Sequence, residues 1–92
     1  MYKRYQQNTL FIVTDHPETV CQVISDIAHH GATVLKGFGP YEQKERSMVY
    51  SVVSADEASK VVAGVREVDP QAFVNTIETE SLTGQFYRKA ND

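Results

Sequence analysis

The chain has 92 residues, with 9 Lys plus Arg against 12 Asp plus Glu, a formal net charge of −3 and 41% hydrophobic residues. That describes one domain with a small core and an ordinary charged surface. No uncharged apolar run approaches the roughly 20 residues of a membrane helix. The single Cys excludes an internal disulfide or a CxxC metal clip, and the acidic balance argues against non-specific nucleic-acid binding.

Residues 1–8 read as a basic lead-in tail, in which Lys3 and Arg4 stand without the apolar stretch of a signal peptide. Lys and Arg also gather at the cytoplasmic end of a membrane helix, so the pattern fits a domain that follows one. One domain is expected over 9–87, with a flexible C-terminus at 88–92. Residues 9–14, TLFIVT, form a β-branched and aromatic run too short for a helix, and predict a buried strand. Asp15 and Glu18 then have capping-box spacing, with Pro17 in the first turn. Val20, Val23, Ile24, Ile27 and Ala28 recur as one helical stripe. His29 and His30 fall in its last turn, and Gly31 suits the left-handed position that ends a helix.

Residues 32–38 predict a second strand, broken by Gly37-Phe38-Gly39-Pro40, and 41–46 (YEQKER) a charged loop. Residues 47–54, SMVYSVVS, predict a third strand. Ser54 and Glu57 repeat the capping-box spacing, and Ala58, Val61, Val62, Val65 and Val68 make a second helical stripe that Asp69-Pro70 ends. Residues 72–79, AFVNTIET, predict a fourth strand. The order βαββαβ is the ferredoxin-like arrangement, an α+β fold with one antiparallel sheet and both helices on one face. Leu10, Phe11, Ile12 and Val13 are apolar at consecutive positions, as are Met48, Val49 and Tyr50, whereas a sheet with one wet face alternates. The second face is therefore expected to be covered in a homo-oligomer, with Phe11, Val13 and Val49 at the interface.

Few residues carry visible chemistry. His16, Cys21, His29 and His30 have no metal-ligand spacing, and neighbours on a helix do not face each other. No nucleophile elbow is present, and Glu78 and Glu80 fit a solvated strand. No catalytic residue, metal or cofactor is expected. An RNA-binding sheet needs aromatics in a basic third strand, which SMVYSVVS lacks, so nucleic acid is not an expected partner. The segment from Gly37 to Arg46 is the most informative. Two glycines let the backbone approach a ligand closely, and Lys36, Lys44 and Arg46 offer charge to an anion.

The stretch HGATVLKGFGPYEQKERSMVYSVVS, followed by VDPQAFVNTIETE, resembles the C-terminal domain of the YitT family, bacterial membrane proteins whose soluble tail is a domain of unknown function. Gly31, Thr33, Leu35, Gly37, Gly39 and Tyr41 fall on the family pattern R-G-x-T-x-L-x-G-x-G-x-Y. Val52, Val53 and Ser54 follow it, and Asp69, Pro70, Ala72, Phe73 and Val74 match D-P-x-A-F-V. The segment FIVTDHPETV is similar to the family's opening strand and helix start, so the likeness spans about 9–87. Glu42 and Gln43 depart from it where the family often has Gly, and the closing Thr83-Gly84-Gln85-Phe86-Tyr87 keeps only one glycine. The resemblance implies a regulatory, non-enzymatic domain on the cytoplasmic side of the cell membrane, attached to the membrane segment of a parent protein. It also implies a relation to PII-type signalling proteins, oligomers that bind small effectors, often nucleotides, beside a loop between strands two and three. On that basis Gly37, Gly39, Tyr41, Lys44 and Arg46 are the expected site for a small anionic ligand or nucleotide. The competing expectation is a ligand-free oligomerisation module.

Overall fold

Strand β1 (Gln7–Thr14) is the centre of the molecule, and its alternation sets the two sides of the fold. Leu10, Ile12 and Thr14 are fully buried on one side, while Phe11 and Val13 point to the other. The computed structural model describes residues 6–39 and 44–80. After β1 come α1 (Pro17–Ala28), β2 (Thr33–Gly39), β3 (Lys44–Ser54), α2 (Ala55–Val68) and β4 (Phe73–Thr79). The strands form one four-stranded sheet in the order β2-β3-β1-β4 with every neighbour antiparallel. This is the ferredoxin-like fold, and the lead-in residues 1–5 and the tail 81–92 lie outside the described residues.

Both helices lie on the Leu10–Ile12 side of the sheet. α1 buries Val20, Ile24 and Ala28, and α2 buries Ala58, Val61 and Val65, against Leu10, Ile12, Val49 and Val53. Val62 is only half-buried at the margin of this core, and Val68 is exposed. Gly64 is absent from the predicted stripe yet decides how closely the helices approach. A Cβ there would stand 2.9 Å from Val23 Cγ1 and 3.0 Å from Ile27 Cδ1.

The connections differ from the predicted ones. The N-cap of α1 is His16, not Asp15, and makes no side-chain cap. The His16 N–H instead donates to Thr14 Oγ1 (2.9 Å), and Asp15 turns to the far side of the sheet. α1 ends on His29 in the left-handed region (φ 59°), so His29 and not Gly31 holds that position. Its N–H still closes onto Ser25 O at 3.0 Å. Ser54 does hold the N-cap position of α2, but its hydroxyl donates to the Glu57 carboxylate (2.9 Å) and accepts no helix N–H. β3 begins at Lys44, so Lys44 and Arg46 belong to a strand and not to the loop. Beyond α2, the buried Asp69 ties the opposite end of β1 to the turn before β4. Thr14 Oγ1 donates to one carboxylate oxygen and the Gln71 N–H to the other.

Two substitutions test these assignments by thermal unfolding. His29→Gly removes a left-handed penalty of about 1 kcal/mol and should raise the melting temperature by roughly 4–8 °C. Gly64→Val should destabilise by about 1–3 kcal/mol, because the added atoms have no room between the helices. An unchanged melting temperature for Gly64→Val would contradict the close helix contact.

Candidate functional site

The face of the sheet away from the helices carries large apolar side chains on all four strands. Register places Leu35, Met48, Val13 and Phe73 in one row, and Thr33, Tyr50, Phe11 and Asn75 in the next. A third row carries Val52, Thr9 and Ile77. The rings of Phe11 and Tyr50 stand 5.5 Å apart at 42°. Leu35 keeps 48% of its surface exposed, Phe73 65% and Ile77 44%. Scattered exposed apolar residues are ordinary, but a contiguous patch of this kind marks a contact surface. Of the three residues expected at the interface, Phe11 and Val13 lie on this face. Val49 does not: it pairs with Ile12, is fully buried and belongs to the helix-side core. The reason is the period of two along a strand, which puts Val49 and Met48 on opposite sides.

At one corner the apolar face runs into charge. Gly37 sits opposite Arg46 in the β2–β3 register. Beside them a groove of about 300 Å³ is lined by Val13, Leu35, Phe38 and Met48 as well as Lys36, Gly37, Arg46 and Ser47. A Cβ at Gly37 would meet nothing nearer than the Arg46 carbonyl oxygen at 4.0 Å, so the missing side chain leaves open space over this part of the strand. Arg46 Nε lies 3.3 Å from Asp15 Oδ1, joining the start of α1 to β3. Of the expected ligand residues, the structure thus brings Gly37 and Arg46 together. Gly39 pairs with Lys44 at the last register position of the hairpin, and Tyr41 lies outside the described residues. Val13, Leu35, Met48 and Asp15 were not among the expected ligand residues. The signal for them was parity: Asp15, one residue past the end of β1, continues the alternation of Phe11 and Val13, and the β1–β3 pairing carries Arg46 to that end.

Other parts of the described chain offer less. A larger groove of about 460 Å³ between α2 and β4, lined by Asn8, Ala55, Ala58, Ser59, Val62, Ala63 and Thr76, has no charged side chain to fix a ligand. His16, Cys21, His29 and His30 do not converge, and no three His, Cys, Asp or Glu side chains come together among the described residues. Burial, and after it the Glu18 carboxylate, push the Cys21 thiol above its ordinary range, opposite to what a metal-binding thiolate needs. His30 is buried, with Nε2 3.8 Å from Glu57 Oε1, and pins the α1–β2 connection to the start of α2.

Residues 30–84 match the model of the family "Uncharacterized protein conserved in bacteria (DUF2179)". The chain belongs to this family. It is similar to the UPF0750 membrane protein YitT of Bacillus subtilis (strain 168), 28% identical over 89 residues, which make up 97% of this chain and 31% of that protein. The chain therefore spans about a third of the length of that relative. Among solved structures, a DUF2179 protein from Eubacterium ventriosum is 27% identical with a TM-score of 0.63, covering 77% of this chain and 97% of that one. CPII, a nitrogen regulatory PII-like protein from Thiomonas intermedia K12 solved bound to ADP, AMP and bicarbonate, has a TM-score of 0.58 at 16% identity, covering 87% and 98%. The latter likeness shows the fold alone. The family's membrane relatives set the context, and among the described residues no helix is long and apolar enough to cross a membrane.

The open space at Gly37 generates a direct check. Gly37→Val adds a β-branched residue to a strand with room for it. Its melting temperature should match or exceed that of the parent chain. A clear drop would show that the groove beside Arg46 is filled.

Proposed function

We propose that this domain is a non-enzymatic regulatory unit of a YitT-like membrane protein, working on the cytoplasmic side of the membrane, and that copies of it assemble through the open sheet face. The observation that carries this reading is the unbroken apolar surface from Leu35 through Met48, Tyr50, Phe11 and Val13 to Phe73. A self-contact suits it because its occupant must be apolar over the width of the sheet, and a second copy supplies the same surface. The cations Lys3 and Arg4 ahead of β1 support a cytoplasmic location beside a membrane segment.

A second reading rests on the Gly37–Arg46 corner and competes with the first for Val13, Leu35 and Met48, which line both the groove and the assembly face. There a small anion binds beside Arg46, and the domain reports its presence to the attached membrane part. The open groove and its guanidinium favour this, and the CPII neighbour, which carries nucleotides and bicarbonate, is a precedent on the same fold.

The assembly reading is tested with a pair of substitutions on opposite faces, followed by sedimentation velocity and thermal unfolding. Phe11→Glu should leave the domain folded and shift it to the monomer, because the new charge is harmless in water and costly in an apolar contact. Val49→Glu should instead unfold it, since a buried unpaired charge costs several kcal/mol out of a total stability of about 5–15 kcal/mol. Equal sedimentation of Phe11→Glu and the parent chain would overturn the assembly reading.

A further inference from the structure

The corner groove carries its own anion. Asp15 leaves the helix start, where the sequence pattern places a cap, and reaches Arg46 Nε at 3.3 Å across the end of the open face. That nitrogen is shut off from water, while the Arg46 side chain as a whole keeps 26% of its surface and Asp15 keeps 46%. The pair is thus exposed on one side and held against the groove on the other. A carboxylate in this position is what a ligand's acidic group would have to replace or share.

The groove's composition limits what that ligand is. Its floor is apolar, from Val13, Leu35 and Met48 on the open face. Arg46 is the cation that register puts on this face, since Lys36 pairs with the helix-side Ser47, and Asp15 at the groove's edge balances it, so a ligand that takes the place of Asp15 brings one negative charge. The triphosphate of a nucleotide needs several cations or a metal to offset its charge. A single acidic group joined to an aromatic or alkyl body matches both the charge and the floor, and a volume of about 300 Å³ admits a bicyclic ring or a medium alkyl chain.

Resting on the reading of this corner as a ligand site, we infer that the groove takes an amphiphilic monoanion, a carboxylate or sulfonate with an apolar body, and that Asp15 competes with it for Arg46. Asp15 then sets a threshold. Its pairing holds Arg46 in place in the empty domain, and only a ligand that also gains from burying its apolar body displaces it. An exposed ion pair is weak enough for such an exchange, being worth at most about 1 kcal/mol.

The test measures binding of 1-anilinonaphthalene-8-sulfonate to the whole chain by fluorescence titration, with the neutral dye Nile red as control and AMP and ADP as competitors. The sulfonate should bind saturably, and Arg46→Gln should weaken it about tenfold, with partial recovery in Arg46→Lys. Asp15→Asn should tighten it by about threefold to fivefold, and Gly37→Val, which puts a branched side chain into the groove, should weaken it clearly. Nile red should bind all variants alike. If Arg46→Gln fails to fold by circular dichroism, Asp15→Asn and Gly37→Val decide the matter. Weaker or unchanged binding in Asp15→Asn overturns the competition, because Asp15 would then merely position Arg46. Arg46-dependent binding of AMP or ADP that is tighter than the sulfonate overturns the ligand class while the corner survives as a site. Sulfonate binding indifferent to both Arg46 and Gly37, with no nucleotide binding, removes this inference and the corner reading together.

Discussion

A four-stranded sheet has two faces, and this chain supplies helices for only one. α1 and α2 contribute 12 and 14 residues, and both pack on the side of Leu10, Ile12, Val49 and Val53. Water would demand alternation along β1 and β3, with polar residues on the free side. Instead Phe11, Val13, Met48, Tyr50 and Val52 occupy it. Apolar surface of this extent costs free energy in proportion to its area when left in water. The rest of the structure follows from how that face is treated: the core is thin and one-sided, the edge strands β2 and β4 are largely exposed, and the described ion pairs stand at the ends of strands and helices.

The two ends of β1 are handled differently. Near Gln7 the pairing closes with uncharged groups, as in the Thr9–Thr79 hydroxyl contact at 2.6 Å. Near Thr14 two acidic residues diverge to opposite faces. Asp69 is buried on the helix side and is satisfied by Thr14 and the Gln71 backbone, so it serves the fold. Asp15 stands on the open side with Arg46, where an ion pair has little structural worth and the adjoining groove is unfilled. That contrast separates a carboxylate that holds the chain together from one that is available for exchange.

The sequence was legible wherever local rules decide structure. β-branched runs marked the strands, two apolar stripes marked the helices, and their order specified the ferredoxin-like fold. It was less legible where tertiary partners compete with local ones. Asp15 has the spacing of a helix cap, but the β1–β3 register offers it Arg46. Gly31 suits a helix end, but the chain turns two residues earlier at His29, with Ser51 Oγ then donating to Gly31 O at 2.9 Å. Gly64 breaks no periodicity and shows its role only when α1 is laid against it. Consecutive apolar residues revealed that both faces are apolar, yet assigning Val49 to one of them required knowing that it pairs with Ile12. The corner groove is the extreme case, since its lining comes from three strands and no single segment announces it.

Contact between copies through the open face would bury the exposed row from Leu35 to Phe73. Its most direct test is the mass of the unmodified chain in solution, measured by sedimentation equilibrium over a wide range of concentration. Assembly through the open face gives a mass that is a multiple of the 10.3 kDa chain, falling toward one copy only on dilution. A mass of 10.3 kDa at every concentration would contradict it.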